Sequence, residues 1–126
     1  MATARKIRIT AGKVVAEAIL NESPTAAKIW DALPIDARGN TWGDEIYFSI
    51  PVDAASEKDA RDLVSVGELG YWPPGTAFCI FYGRTPASTD DRPRAASPVN
   101  IIGKVVGDAT AFRAVSSGAQ VRLERA

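Results

Sequence analysis

The sequence predicts a mostly β, α+β domain built on an antiparallel sheet or barrel with two short helices, and three observations support that class. Alternating or continuous apolar runs of strand length recur at 6–10, 13–20, 45–51, 69–72, 77–82, 99–105 and 120–124, as expected of strands with at least one covered face. Helix signals are confined to 24–33 and 108–118. No βαβ spacing links the runs, so antiparallel pairing is expected. The 126 residues, 46% of them apolar, suffice for one domain over the whole chain and one packed core.

Taken in order, residues 1–5 are expected to be flexible. Runs 6–10 and 13–20 flank Ala11-Gly12 and read as a hairpin with a tight turn. Ser23 is a natural N-cap, Pro24 fits the first helical position, and Ala26, Ile29, Trp30 and Leu33 share a stripe before Pro34 stops the helix; Trp30 is expected in the core. In 45–51, Ile46, Phe48 and Ile50 alternate with Glu45, Tyr47 and Ser49, giving one buried and one wetter face. Residues 53–66 are polar and alanine-rich, a connection with room for a helical turn. Strands at 69–72 and 77–82 surround Pro73-Pro74-Gly75, where the prolines fix φ and the glycine accepts positive φ. Residues 84–98, "RTPASTDDRPRAASP", read as one long loop, and a strand follows at 99–105. Asp108 caps a short helix carrying Ala111, Phe112 and Val115, Gly118 ends it, and 120–124 is the last strand.

Composition removes several classes of function. Fifteen Lys plus Arg balance fifteen Asp plus Glu, so no net field draws in nucleic acid or anionic lipid, and neither is expected as a partner. No apolar run approaches the ~20 residues needed to cross a bilayer. With one cysteine and no histidine, the usual zinc, copper and haem ligand sets are missing, as are histidine-dependent nucleophile systems. No cofactor or metal is expected. The single cysteine and the absence of a signal-type start point to a reducing, cytoplasmic setting.

The stretch 77–82 raises the functional question. Phe78, Ile80 and Tyr82 lie on one parity and Ala77, Cys79 and Phe81 on the other, so one apolar face looks away from the core. A covering helix, a covering loop, a partner subunit or an open groove would each account for it. Tyr71 and Trp72 pose the same question on the neighbouring strand, because alternate residues face opposite ways. Cys79 has no cation near it in sequence and reads as a small hydrophobe. Asp44 and Glu45 are adjacent on the chain and therefore diverge, which suits structural or solvated roles better than a paired acid and base. Arg84 follows the apolar strand directly and reads either as an ordinary surface arginine, the better match, or as a residue at a groove's rim that binds a carboxylate or carbonyl.

Three motifs, WGDEIYF at 42–48, LGYWPPGTAFCIFYG at 69–83 and SPVNIIG at 97–103, resemble the small microbial cyclophilin-like proteins over nearly the whole chain. The resemblance implies a closed antiparallel cyclophilin-type β-barrel with helices closing its ends, in a family without an established activity. A weaker resemblance reaches true cyclophilins, through 12–33 and 101–115. It implies a groove on the barrel's outer surface that binds a prolyl peptide, and an arginine, on the strand after the first helix, that contacts the twisting amide.

Residues 45–51 contain no arginine. Rotation about an amide must overcome ~18–20 kcal/mol, and a donor that weakens nitrogen conjugation supplies much of the help. The expectation is therefore a binding domain for a short peptide or small apolar ligand. Trp42, Tyr47, Tyr71, Trp72, Phe78 and Phe81 are expected to include the groove lining, with Arg84 at its edge. Peptidyl-prolyl isomerisation is the enzyme alternative, and a homodimer burying the same apolar face is the structural one.

Overall fold

The computed structural model describes residues 5–126. The expected flexibility of residues 1–4 lies outside the described residues, whereas Arg5 pairs with Leu20 in the first hairpin. That hairpin joins β1 (Arg5–Ala11) and β2 (Val14–Leu20) through Gly12, whose φ of 58° suits a residue without Cβ. Ser23 caps α1 (Pro24–Ala32), its hydroxyl accepting from Ala26 N at 3.2 Å. Ala26 and Ile29 are buried. Trp30 only flanks the core, with the Arg125 guanidinium 4.4 Å from its ring centroid.

The remaining strands are β3 (Ile35–Arg38), β4 (Asn40–Thr41), β5 (Glu45–Ser49), β6 (Arg61–Leu63), β7 (Glu68–Trp72), β8 (Ala77–Phe81), β9 (Arg94–Val106) and β10 (Gln120–Arg125). All nine pairings are antiparallel. The order is β3-β10-β1-β2-β9-β7-β8-β5-β4, with β6 pairing β9 off this path. The ladder does not close on itself as the expected barrel would. Its two ends, β3 and β4, are successive pieces of one stretch broken at Gly39. A Cβ there would lie 3.0 Å from Ile46 of β5 and 3.1 Å from Val121 of β10. The sheet therefore curls until its ends meet across a glycine that lets both side chains approach.

Several local expectations are corrected. Residues 53–66 hold the short strand β6 rather than a helical turn, and β9 begins at Arg94, inside the stretch expected to be loop. Both are edge pairings with an irregular register, fixed by a distant partner rather than by a local pattern. The helix expected after Asp108 is a 3-10 turn, Ala109–Ala114, that buries Phe112. Among the described residues no helix is long and apolar enough to cross a membrane.

The main core fills the inside of the curl, with Ile7, Ile9, Leu20, Ile29, Phe48, Tyr71, Phe78, Ile80, Phe112 and Leu123 buried. Phe48 and Phe78 stack with centroids 5.3 Å apart, an arrangement that adds about 0.5–1.5 kcal/mol to area burial. Tyr71 reaches through this core. Its hydroxyl donates to Val52 O at 2.7 Å and accepts from Ala54 N at 3.2 Å, pinning the connection after β5.

Tyr71→Phe leaves both buried backbone groups without that partner. It should destabilise the protein by about 1–3 kcal/mol in urea unfolding. A loss under about 0.5 kcal/mol would show that water or a shifted loop replaces the hydroxyl.

Candidate functional site

On β5, β8 and β7, one parity enters the curl and the other faces outward. Register places Tyr47 opposite Cys79, Gly70 opposite Cys79, and Trp72 opposite Ala77. Glu45, Tyr47, Gly70, Trp72, Cys79 and Phe81 thus share the outer face. Part of that face is covered by the chain itself, because Val64, Ala95 and Val99 bury Phe81 and Cys79 in a second apolar cluster. The cover is tied down by Val64 N donating to Pro93 O at 3.1 Å and the Thr85 hydroxyl donating to Arg94 O. Gly70 admits it. A Cβ at that position would stand 2.8 Å from Val99 Cγ2 and 3.2 Å from Phe81 Cε2.

The cover stops short of the whole face and leaves a cavity of about 260 Å³. Its buried lining is Glu45, Cys79, Ala95 and Val99, and its outer lining is the half-buried Trp42, Tyr47 and Trp72 with exposed Ala96. The Trp72 side of the wall is held by the chain itself. Trp72 Nε1 donates to Ser97 Oγ at 2.6 Å, and its ring lies against Gly75, where a Cβ would come within 2.9 Å. Contrary to the sequence expectation, Thr76 takes the positive φ of this turn, at 45°; Gly75 serves the ring instead. Trp42 N donates to Glu45 O at 2.9 Å, and the adjoining Gly43, at φ 62°, packs so closely on Arg84 O that a Cβ would sit 2.8 Å away.

Glu45 gives the cavity its chemistry. It is only 6% exposed, and burial pushes its carboxyl up to about 7, partly opposed by a hydrogen bond from the Cys79 thiol. The same burial, reinforced by the nearby Glu45 charge, pushes the Cys79 thiol well up, so the sulfur is no nucleophile near neutral pH. Asp44 diverges from Glu45 as expected. Its carboxylate accepts from Arg113 Nε at 3.1 Å and packs on Gly83, where a Cβ would stand 2.2 Å from Oδ2.

Of the residues expected in the groove, Trp42, Tyr47 and Trp72 line the cavity together. Tyr71 and Phe78 are fully buried inside the curl, and Phe81 is fully buried beneath the cover. Arg84 is exposed, outside the lining, with its guanidinium 3.7 Å from Asp91. Sequence reasoning gave Glu45 and Cys79 no site role and left out Ala95, Ala96 and Val99. The outward parity of Glu45 beside Tyr47 was legible, and its enclosure was not.

The comparisons match this chain along almost its whole length. The Cyclophilin-like family matches residues 5–124. The solution structure of a hypothetical protein from Archaeoglobus fulgidus matches with a TM-score of 0.84 and 40% identity, covering 100% of this chain and 98% of that one. No curated protein matches. The chain belongs to the cyclophilin-like family.

The raised carboxyl has a stability consequence. Below 4.5 both folded and unfolded chains hold the Glu45 proton, but between 4.5 and about 7 only the folded chain holds it, so this component of stability is lost as pH rises. Glu45→Gln removes the component. The stability of wild type relative to Glu45→Gln should fall by on the order of 2–3 kcal/mol from about pH 5 to about pH 8 in urea unfolding. A difference independent of pH would mean that Glu45 titrates as an ordinary surface acid.

Proposed function

We propose that this domain is a binding module that takes a small, largely apolar ligand, or one side chain of a short extended peptide, in the cavity between Trp42, Tyr47 and Trp72. The observation that carries the reading is the fixed aromatic wall. Trp72 is held by Ser97 and Gly75 without help from a ligand, so little ordering entropy remains to be lost on binding. At about 260 Å³ the cavity lies just below the roughly 300–1,000 Å³ typical of drug-sized sites. It suits a compact molecule or a single anchor residue.

Binding is favoured over prolyl isomerisation by the composition of the wall. An isomerase would place a donor against the amide nitrogen, and neither the lining nor β5 carries an arginine or lysine. A subunit contact through this face is disfavoured by shape, because its open part is concave and the rest is covered by residues of the same chain.

Two of the three tryptophans line the cavity and Trp30 does not, which makes fluorescence a direct readout. Titration with a panel of small aromatic and aliphatic molecules and of short proline-containing peptides should give saturable changes. Trp72→Ala should weaken the response at least about tenfold, equivalent to about 1.4 kcal/mol, and Trp30→Phe should leave it unchanged. A response that follows Trp30, or no saturable response across the panel, contradicts the reading.

A further inference from the structure

Glu45 is an acid in a place that an apolar ligand alone does not explain. A buried carboxyl is costly unless it is paired or neutralised, and an uncharged residue in the same place would complete the apolar pocket. Among the described residues Glu45 forms no ion pair, no arginine or lysine lines the cavity, and three arginines of the surrounding segments pair with other acids. Arg113 holds Asp44, Arg94 holds Asp62 at 3.0 Å, and Arg84 faces Asp91. The other titratable groups around the carboxyl are uncharged when protonated: Tyr47 on its own strand, Cys79 on β8, and Tyr82 beyond it. The wall contributed by β9 is Ala95, Ala96 and Val99, without charge.

A cation is the partner that would satisfy the carboxylate form, and the lining favours one of a particular kind. A metal ion is a poor fit, because no group of three or more acidic or sulfur ligands exists among the described residues. The lining instead includes Trp42, Tyr47 and Trp72, and an aromatic ring attracts a soft, weakly hydrated cation through its quadrupole and packs equally well on attached carbon. A bare inorganic cation would gain the carboxylate and waste the rings, and a neutral hydrocarbon would gain the rings and leave the acid unpaired.

We propose that the cavity binds an organic ammonium group, a primary or methylated amine on a small apolar body, with Glu45 as its counter-ion and the three aromatic residues as its cage. The proposal rests on the binding reading above and narrows its ligand class. The cavity of about 260 Å³ has room for an ammonium with a few carbons around it. Because burial raises the carboxyl to about 7 in the empty protein, an arriving cation would displace the proton. Its affinity should therefore rise with pH through that range and level off above it.

Matched probes separate the possibilities. Choline and its uncharged isostere 3,3-dimethylbutan-1-ol form one pair, and benzylamine with benzyl alcohol a second, each titrated by tryptophan fluorescence and calorimetry. For wild type at about pH 8, the cationic member of at least one pair should bind at least about tenfold more tightly than its isostere. That advantage should fall below about threefold at about pH 5.5, and likewise in Glu45→Gln at about pH 8. The pH arm uses wild type alone, so a poorly folding variant does not remove the test. Equal affinity within both pairs at about pH 8, or tighter binding of the alcohols, overturns the ammonium assignment while leaving the pocket reading standing. No saturable binding of any of the four overturns both.

Discussion

Strand β8 is apolar on both parities and buried on both faces, and much of the chain is arranged to satisfy that one constraint. Phe78 and Ile80 point into the curl, where Phe48, Tyr71 and the β1–β2 hairpin enclose them. Cys79 and Phe81 point the other way, where an antiparallel sheet would ordinarily meet water. They are covered by chain brought from two distant places, Val64 after β6 and the start of β9. The pairing of β6 with β9 and the close approach at Gly70 both follow from that need. The candidate site is what this second cover leaves open.

That origin explains why the cavity combines features that rarely coincide. Its inner walls are continuous with a core cluster, and of its rim aromatics Trp72 is fixed by one hydrogen bond and one glycine contact. In such surroundings a carboxyl holds its proton more firmly, because the low-polarity environment penalises the charged form. Glu45 is thus poised between two states across the neutral range, acid and carboxylate, and a cationic occupant of the kind proposed would select the carboxylate. The family match over residues 5–124 gives the scaffold a family. The chemistry at Glu45 is read from this molecule's own geometry.

Much of the scaffold was legible in the sequence where signals were local. The Ser23-Pro24 start of α1, the Gly12 hairpin, and the alternation of Ile46 and Phe48 against Glu45 and Tyr47 each rest on neighbours within a few residues. The unresolved question of the second apolar face has two answers at once, a covering segment over Phe81 and an open pocket beside Trp72. Neither was readable, because the cover comes from residues 64 and 93–99 and its position depends on a register that no local pattern encodes. The same non-locality hid β3, β4 and β6, strands of two to four residues too short to announce themselves. It also turned Tyr71, Phe78 and Phe81 from expected lining into core. Glu45 was placed on the correct face and given an ordinary role, since a single acid carries no sign of its own enclosure.

The chemistry of the pocket depends on that acid being enclosed and unpaired in the ligand-free protein. The most direct measurement is an NMR titration of the Glu45 side-chain carboxyl carbon, assigned by comparison with Glu45→Gln. A midpoint near 7, well above the ordinary value of 4.5, is the result predicted. A midpoint close to that ordinary value would mean that water or an internal cation already satisfies the carboxylate, and would contradict the account of the pocket at its root.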